Sequence, residues 1–269
     1  MVHPEIQLTT REKIQFLWLI PLILFKTALT LIFAVLTDTA AAIKHPVRTI
    51  GVNLLRHATL TLSFRQKLAA DVVSTGDAVV AYCAARNLAH HAVRVPVHDP
   101  AAANNHHHDR ASTFHAPAIP DATLHLITVN PSSPSPSQPP SSPSQQQHQQ
   151  HRTLLYLHGG GFVHPLNARG QLPFAHRCAE SLSSSSPSSP VAVTLAVLEY
   201  HLAPARRHPT QLAQALAALR ALVVDRGVPP AEVVLMGDSA GGNLLLGVLA
   251  ALKVAAAGSG RSGPAAGAV

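Results

Sequence analysis

The distribution of apolar and polar residues divides the chain into segments of different character. The longest apolar run, IQFLWLIPLILFKTALTLIFAVL at residues 14–36, has 23 residues, and about 20 suffice for a helix to cross a bilayer. Lys26 lies near the middle of the run and Pro21 could kink the helix, so an interfacial or re-entrant helix and a buried soluble helix remain alternatives. We expect residues 1–45 to form a membrane anchor with its flanks, retained because no small-x-small cleavage site follows closely.

The next segment, residues 46–120, is predicted to be a helical cover or cap with one polar insert. Apolar residues recur at helical spacing over residues 50–95, and we expect these helices to lie over the body of the protein. Residues 98–120 are typical of a loop. Its HHHD sequence at 106–109 could offer metal ligands, but consecutive side chains do not converge easily on one site, so we interpret it as a flexible polar insert.

Residues 121–254 alternate between strand and helix patterns. Strands are predicted at 124–129, 153–157, 191–200 and 233–237, and helices at 171–182, 210–226 and 240–254. The third strand, VAVTLAVLEY, is almost continuously apolar, as in a strand buried on both faces of a parallel sheet. The order predicts the α/β class, with a parallel sheet, right-handed crossovers and flanking helices. Two polar segments, 131–151 and 181–190, are predicted to be disordered inserts, and 255–269 a low-complexity tail.

Composition and charge narrow the classes of protein. An apolar fraction of 47% excludes a wholly disordered chain, and two distant cysteines, Cys83 and Cys178, exclude a disulfide scaffold and favour two buried thiols. The net charge is +7, and residues 1–70 hold eight Lys or Arg against three acidic residues. Because this excess flanks the apolar run, it indicates a bilayer surface as the partner and not nucleic acid. The basic residues on the two flanks leave the orientation open.

The motif GDSAGG at residues 237–242 stands between a predicted strand and a predicted helix. A serine on such a sharp turn has a strained backbone, and its hydroxyl points out of the sheet. Glycines two positions before and after it are needed because the turn leaves no room for side chains. The start of the following helix favours developing negative charge. Ser239 is therefore the candidate nucleophile, with motif support from Gly237, Asp238, Gly241 and Gly242.

The motif HGGGF at residues 158–162 directly follows another predicted strand. Its glycines let the backbone present N–H groups to a carbonyl oxygen as it becomes an oxyanion, and losing one such donor typically costs about 10²–10³ in turnover. The two motifs occur in the expected order, with Gly161 and Ser239 78 residues apart, each after an apolar strand. The expected oxyanion hole consists of the N–H groups of Gly159, Gly160, Gly161 and Ala240, and His158 supports the motif.

At these residues the sequence resembles α/β-hydrolases of the hormone-sensitive-lipase class, which includes membrane-anchored arylacetamide deacetylases and fungal sterol acetyl-ester hydrolases. The resemblance covers about residues 120–254 and is carried by the two motifs and by EYHLAP at 199–204. His201 and Ala205 stand where the family has Arg and Glu. The resemblance implies a partial α/β-hydrolase fold after a membrane helix, with Gly160, Gly161 and Ala240 in the oxyanion hole. It also implies structural roles for Asp238 and Glu199, and for His158 in shaping its turn.

The family's order of catalytic residues is serine, then acid, then histidine. The residues after Ser239 contain no Asp, Glu or His, and a serine hydroxyl is a weak nucleophile without an adjacent base. The upstream His176, His201 and His208 are on elements that would need an unusual path to reach it. We therefore expect a C-terminally truncated hydrolase, with a non-catalytic relative as the second interpretation.

Taken together, the residues and the resemblance predict a serine carboxylester hydrolase of esterase, lipase or deacetylase type. Its substrates are expected to be apolar esters, with short acyl groups or with sterol or lipid parts, and no metal or cofactor is implied. Its expected location is the endoplasmic reticulum membrane, with a single-pass N-terminal anchor and an undetermined side. The alternative is an inactive fragment or pseudo-hydrolase tethered to the membrane.

Overall fold

The computed structural model describes residues 8–36, 45–69, 73–97, 118–129, 151–184 and 191–259. The HHHD sequence, most of both predicted inserts and the last ten residues of the predicted tail lie outside these ranges. Contacts divide the chain into two units, Val2–Val72 and Val73–Val269. The two candidate motifs lie in the second unit.

The first unit is helical in its described residues. Its helices are α1 (Thr10–Leu36), α2 (Pro46–Thr61) and α3 (Phe64–Ala69). α1 begins with a capping box, in which the Glu12 N–H donates to Thr9 Oγ1 at 3.3 Å and the Thr9 N–H donates to Glu12 Oε2 at 2.8 Å. A proline opens α2, where its missing N–H costs no helical bond.

Two helices in the described part of the chain are long and apolar enough to cross a membrane, Thr10–Ala34 and Ala240–Ala257. The second packs on two strands of the sheet in the second unit and buries Leu244 and Val248. The first coincides with the apolar run that the sequence singles out, and most of its large side chains are exposed.

The second unit is a five-stranded sheet with helices on both faces. Its elements are α4 (Thr75–Arg86), β1 (His90–Val95), β2 (Ala122–Val129), β3 (His151–Leu157), α5 (Gln171–Ser183), β4 (Ala192–Glu199), α6 (Thr210–Arg220), a π-helical turn (Ala221–Asp225), a 3₁₀ turn (Pro230–Glu232), β5 (Val233–Gly237) and α7 (Ala240–Ser259). The strand order is β1-β2-β4-β3-β5. The α/β class is confirmed.

The sheet is mixed, which corrects the expectation of a parallel sheet. β4, β3 and β5 are parallel, whereas β2 runs antiparallel to β4 and β1 antiparallel to β2. The prediction of helix through residue 95 was also wrong, because α4 ends at Arg86 and a strand follows. The helix ends at Asn87, which has a φ of 51° and caps it in the left-handed conformation. Asparagine is one of the residues that favour such a cap, so it could have indicated the end of the helix.

Several predicted boundaries shift by a few residues. β2 and β3 begin two residues earlier than predicted, so His151 is the first residue of a strand and not the last of an insert. α5 extends through Ser183, inside the segment predicted as the second insert. The predicted helix 210–226 is α-helical only to Arg220, and α7 extends past Val254 to Ser259, inside the predicted tail.

The core consists of one apolar layer on each face of the sheet. Successive residues of β4 alternate between them: Val193, Leu195 and Val197 pack with α4 and α5, while Ala196 and Leu198 pack with α6 and α7. Burial on both faces explains why this strand has no polar alternation. The two layers cover both faces of β3, β4 and β5, and the candidate motifs follow the ends of β3 and β5.

Candidate active site

The register of the parallel strands brings the two glycine motifs together. Leu157, the last residue of β3, lies opposite Gly237, the last residue of β5. The chain therefore leaves both strands at the same edge of the sheet, with HGGGF following one strand and DSAGG following its neighbour. The arrangement depends on β3 and β5 being neighbours in the sheet.

 In sequence, α5, β4 and α6 lie between β3 and β5, so only the folded sheet makes the two strands neighbours.

Ser239 occupies the turn between β5 and α7. Its backbone has a φ of 49°, in the left-handed region that non-glycine residues rarely adopt, and the residue is exposed to solvent. The carbonyl of Asp238 accepts from the Gly241 N–H at 2.8 Å, and the carbonyl of Ser239 accepts from the Asn243 N–H at 3.1 Å. These bonds start α7 directly after the serine, so the positive end of the helix dipole lies beside it.

Two glycines are required sterically around this turn. A Cβ on Gly237 would lie 2.5 Å from the Gly241 carbonyl oxygen, within the turn itself. A Cβ on Gly241 would overlap the carbonyl oxygen of Leu157 and would lie 2.7 Å from that of His158. Glycine at these positions thus lets α7 start close against the end of β3.

The carboxylate of Asp238 connects the serine turn to the HGGG loop. Its Oδ1 accepts from the Tyr156 hydroxyl at 2.6 Å and from the Gly159 N–H at 2.8 Å, and its Oδ2 accepts from Gln171 Nε2 at 2.7 Å. Burial alone would raise the pKa of Asp238, but these three hydrogen bonds outweigh it and hold the pKa below its ordinary value. Asp238 is therefore an ionised structural group between the two motifs.

Sequence reasoning missed the two side chains that hold Asp238. Tyr156 lies 82 residues before Asp238 in the chain and Gln171 lies 67 residues before it. From the sequence, Tyr156 is predicted only as one of the apolar residues of a strand, and Gln171 only as the first residue of a helix. No local pattern indicates that both side chains converge on one carboxylate.

The structure gives Gly159 a role other than the predicted one. Its N–H donates to Asp238, so it is not free to stabilise an oxyanion, and the predicted set of donors reduces to Gly160, Gly161 and Ala240. Gly160 and Gly161 have φ of 125° and 62°, and Phe162 also has a positive φ of 62°. Glycine is needed at the first of these because a Cβ there would lie 2.6 Å from the His164 carbonyl oxygen.

His158 is a buried structural residue behind the loop. Its Nδ1 lies 2.7 Å from the Gly159 carbonyl oxygen, and its ring stacks on Tyr200 at a centroid distance of 4.4 Å. The Tyr200 hydroxyl donates to the His158 carbonyl at 2.7 Å. Burial lowers the pKa of His158, so the ring is neutral and shapes the turn.

Glu199, at the end of β4, is held by two other elements. Its Oε1 accepts from the Gly76 N–H at the start of α4 at 3.0 Å, and its Oε2 lies 3.2 Å from Nε2 of His125 on β2. Burial opposes ionisation, but hydrogen bonds from His125 and Gly76 help to lower the pKa of Glu199 below its ordinary value. These contacts account for Glu199 as a structural carboxylate.

The upstream histidines differ in their surroundings. Nδ1 of His176 lies 3.1 Å from the Tyr82 hydroxyl, and Nδ1 of His201 lies 2.7 Å from Gln214 Nε2, which donates to it. His208 is exposed and lines a cavity of about 360 Å³ together with Gly161 and Asn243. Among these three histidines, His208 is thus the one that shares a cavity with the HGGG loop, and that cavity has room for a small acyl or alcohol group.

The two cysteines differ in their burial. Cys83 is buried, as predicted, and burial raises the pKa of its thiol. Cys178 is only partly buried. Within the described ranges, no group of three or more His, Cys, Asp or Glu side chains is placed to hold a metal ion.

Part of the chain is similar to known proteins. Residues 154–265 match the family model of the α/β-hydrolase fold. An acetyl-hydrolase of Streptomyces hygroscopicus is 42% identical over 102 residues, which are 38% of this chain and 30% of that protein. The human arylacetamide deacetylase-like 2 is 31% identical over 36% of this chain and 23% of its own length.

A solved structure of an esterase from the bacterial hormone-sensitive lipase family is 22% identical, with a TM-score of 0.35, over 68% of this chain and 46% of that one. The fold and the two motifs define this part of the chain as an α/β-hydrolase. Within that fold, the matched residues are similar to those of an acetyl-hydrolase and of an arylacetamide deacetylase-like protein. The chain spans less than a third of the length of the two relatives compared by sequence.

Proposed function

We propose that the second unit is the nucleophile and oxyanion part of a serine carboxylester hydrolase. The observation that carries this proposal is the register of β3 and β5, which sets the HGGG loop beside a serine in a left-handed turn. Ser239 is the nucleophile, and the N–H groups of Gly160, Gly161 and Ala240 receive the oxyanion. Asp238 positions the loop through Gly159.

The reaction follows from these groups. The Ser239 hydroxyl attacks the ester carbonyl carbon and loses its proton to a base, and the carbonyl oxygen becomes negative beside the N–H donors and the start of α7. The tetrahedral intermediate then expels the alcohol and leaves an acyl-serine, which water hydrolyses. The cavity beside the loop, with Phe162 and Leu244 in its lining, favours small apolar groups.

The substrates we propose are apolar esters with short acyl groups, including acetyl esters of lipids or sterols. Two printed names among the relatives, acetyl-hydrolase and arylacetamide deacetylase-like, support removal of acetyl groups. No metal or cofactor is part of this proposal.

The second candidate function is a binding protein that keeps this half-site without turnover. One observation favours it: three of the described histidines have a ring nitrogen beside a partner other than Ser239. His158 is buried with its Nδ1 against the backbone, and the Nδ1 atoms of His176 and His201 face Tyr82 and Gln214. Among the described histidines, His208 lines the cavity beside the HGGG loop and is the candidate base within this part of the chain.

A fluorophosphonate probe tests the two candidates. We expect the full chain to be labelled at Ser239 and labelling to disappear in Ser239→Ala, because the phosphonyl group bonds to the serine oxygen and fluoride leaves. Ser184→Ala is the matched control, since Ser184 is an exposed serine at the end of α5, and it should be labelled like the natural chain. Mass spectrometry of the labelled peptide identifies the site.

An aryl boronic acid separates the remaining outcomes. Its boron becomes tetrahedral when a serine oxygen bonds to it, which ¹¹B NMR detects. Folded chain that forms the Ser239-dependent adduct without fluorophosphonate labelling has the half-site but no base, and supports the second candidate. Folded chain that reacts with neither probe would show that Ser239 is not a nucleophile.

We also propose that the first unit attaches the protein to a membrane, in the endoplasmic reticulum by resemblance to the membrane-anchored deacetylases. α1 supports attachment, because Thr10–Ala34 is long and apolar enough to cross a bilayer. We expect the full chain to stay in the membrane pellet through alkaline carbonate extraction, and a variant that begins at Val73 to leave it. Recovery of the full chain in the supernatant would contradict attachment through an inserted helix.

A further inference from the structure

The helices of the first unit run out and back. The Thr30 Oγ1 atom in the second half of α1 lies 3.0 Å from His57 Nε2 on α2. Near the start of α1, Gln66 Nε2 of α3 donates to the Glu12 carbonyl at 3.3 Å, and the Arg65 Nε lies 3.4 Å from the Glu12 carboxylate. Later residues of the unit thus contact earlier parts of α1. α1 and α2 therefore form an antiparallel hairpin, and α3, which follows α2, lies beside Glu12 near the start of α1.

The surface of this hairpin is apolar and its interior is partly polar. On α2, a polar residue recurs at every fourth position, and these four residues are the half-buried Thr49, Asn53, His57 and Thr61. The large apolar residues of α2 are exposed, with Val47 at 82%, Leu55 at 69% and Leu60 at 74%. The exposed side of the helix is therefore more apolar than the covered side.

α1 is apolar on its covered side and on its exposed side. Ile23 and Thr27 are only 6% and 5% exposed, whereas Leu17, Trp18 and Phe33 are 66%, 77% and 67% exposed. The Thr27 hydroxyl donates to the Ile23 carbonyl at 2.8 Å, which satisfies it within the helix. The Thr30 hydroxyl donates its single hydrogen to the Lys26 carbonyl, so His57 is the donor in the bond between the helices.

Such a distribution fits lipid and not water. In water a helical hairpin buries its apolar stripe and exposes its polar one. In a bilayer the outer surface contacts acyl chains, and polar side chains are satisfied between the helices. The basic excess of residues 1–70 adds attraction to anionic headgroups. Apolar exposure and polar contacts between helices thus identify the surrounding partner as the acyl chains of a bilayer.

We propose that α1 and α2 insert into the bilayer as a helical hairpin, so that residue 10 and the hydrolase unit lie on the same side of the membrane. This inference rests on the membrane attachment proposed above. In place of a single crossing of the membrane, the chain enters the bilayer with α1 and comes back to the same side with α2. α1 is about 40 Å long, more than the roughly 30 Å of a hydrocarbon core. Since Lys26, Arg48 and Arg56 are exposed along the hairpin, a tilted hairpin whose basic side chains extend to the headgroups is favoured over a perpendicular one.

Protease protection in microsomes tests the topology of the full chain. The chain carries a different epitope at each end, and intact microsomes are treated with proteinase K with and without detergent. The hairpin predicts that both epitopes are lost together or protected together. A variant lacking residues 37–61 retains one apolar helix and is the control, because a single crossing should leave one epitope protected and remove the other.

N-glycosylation gives a second measurement. The chain has no usable acceptor of its own, since Asn130 is followed by Pro131, so an acceptor added at each end reports its own side. The hairpin predicts the same glycosylation state at both ends. Carbonate-resistant chain with its two ends on opposite sides would overturn the hairpin and leave membrane attachment intact, whereas release by carbonate would overturn attachment as well.

Discussion

Gly241→Ala is expected to unfold the second unit, Val73–Val269, or to destabilise it by more than about 3 kcal/mol. The new Cβ would overlap the Leu157 carbonyl oxygen and lie 2.6 Å from the carbonyl carbon of the same residue. These are backbone atoms of β3, so they cannot move aside without breaking the strand ladder. The measurement is the midpoint of urea unfolding, or the yield of folded protein where no transition remains.

Gly242→Ala is the matched control for this prediction. A Cβ at Gly242 has its nearest neighbour, the Gly237 carbonyl oxygen, at 3.4 Å, and the residue lies in the same first turn of α7. Alanine favours helix over glycine by about 1 kcal/mol, so this variant should be as stable as the natural chain or slightly more stable. Equal stability of the two variants would contradict the close contact of α7 with β3.

Asp238→Asn is expected to weaken both the fold and the site. The asparagine would keep one oxygen for Tyr156 and Gly159 but would turn an NH₂ group towards Gln171 Nε2. The Gln171 amide cannot simply rotate, because its Oε1 already accepts from the Asn167 N–H at 2.8 Å. Loss of hydrogen bonds to a buried charge costs about 1–3 kcal/mol, and displacement of the HGGG loop should lower the rate of labelling at Ser239 about 10²-fold.

The pH dependence of stability distinguishes the charge of Asp238 from its shape. Because the folded-state pKa of Asp238 is depressed, its contribution is fully present above the unfolded pKa of about 3.9 and is lost as the pH falls through the folded value. The stability difference between the natural chain and Asp238→Asn should therefore be constant from pH 7 to about pH 5 and shrink towards pH 3. Asp225→Asn, at an exposed position, should change stability little at either pH. A difference that does not vary with pH would show that the carboxylate charge contributes nothing.

The two glycine motifs could be located in the sequence because their steric requirements are local. GDSAGG needs glycine wherever a sharp turn leaves no room for a Cβ, and the structure places Gly237 and Gly241 in such contacts. The apolar strands before both motifs were also evident, since burial on both faces removes polar alternation. β1 was missed because its six residues HHAVRV are short, mostly unburied and lack a clear period.

The role of Gly159 could not be predicted from the motif alone. HGGG indicates that several N–H groups are presented at one point, but not which of them a neighbouring side chain uses. That depends on Asp238, 79 residues further along the chain, whose Oδ1 takes the Gly159 N–H. The polar stripe of α2 was missed for a similar reason, because its meaning appears only when α1 lies beside it.

The amino-acid sequence by itself determined the apolar run of α1, the α/β alternation, the candidate serine and the glycines of both turns. These follow from periodicity and from steric rules that act over a few residues. Only the tertiary structure decided the mixed strand order and the antiparallel packing of α2 along α1. It also decided that the Asp238 carboxylate accepts hydrogen bonds from Tyr156, Gln171 and Gly159. Such contacts join residues far apart in the chain, and they form only when packing of the whole unit selects one register among the many that local preferences allow.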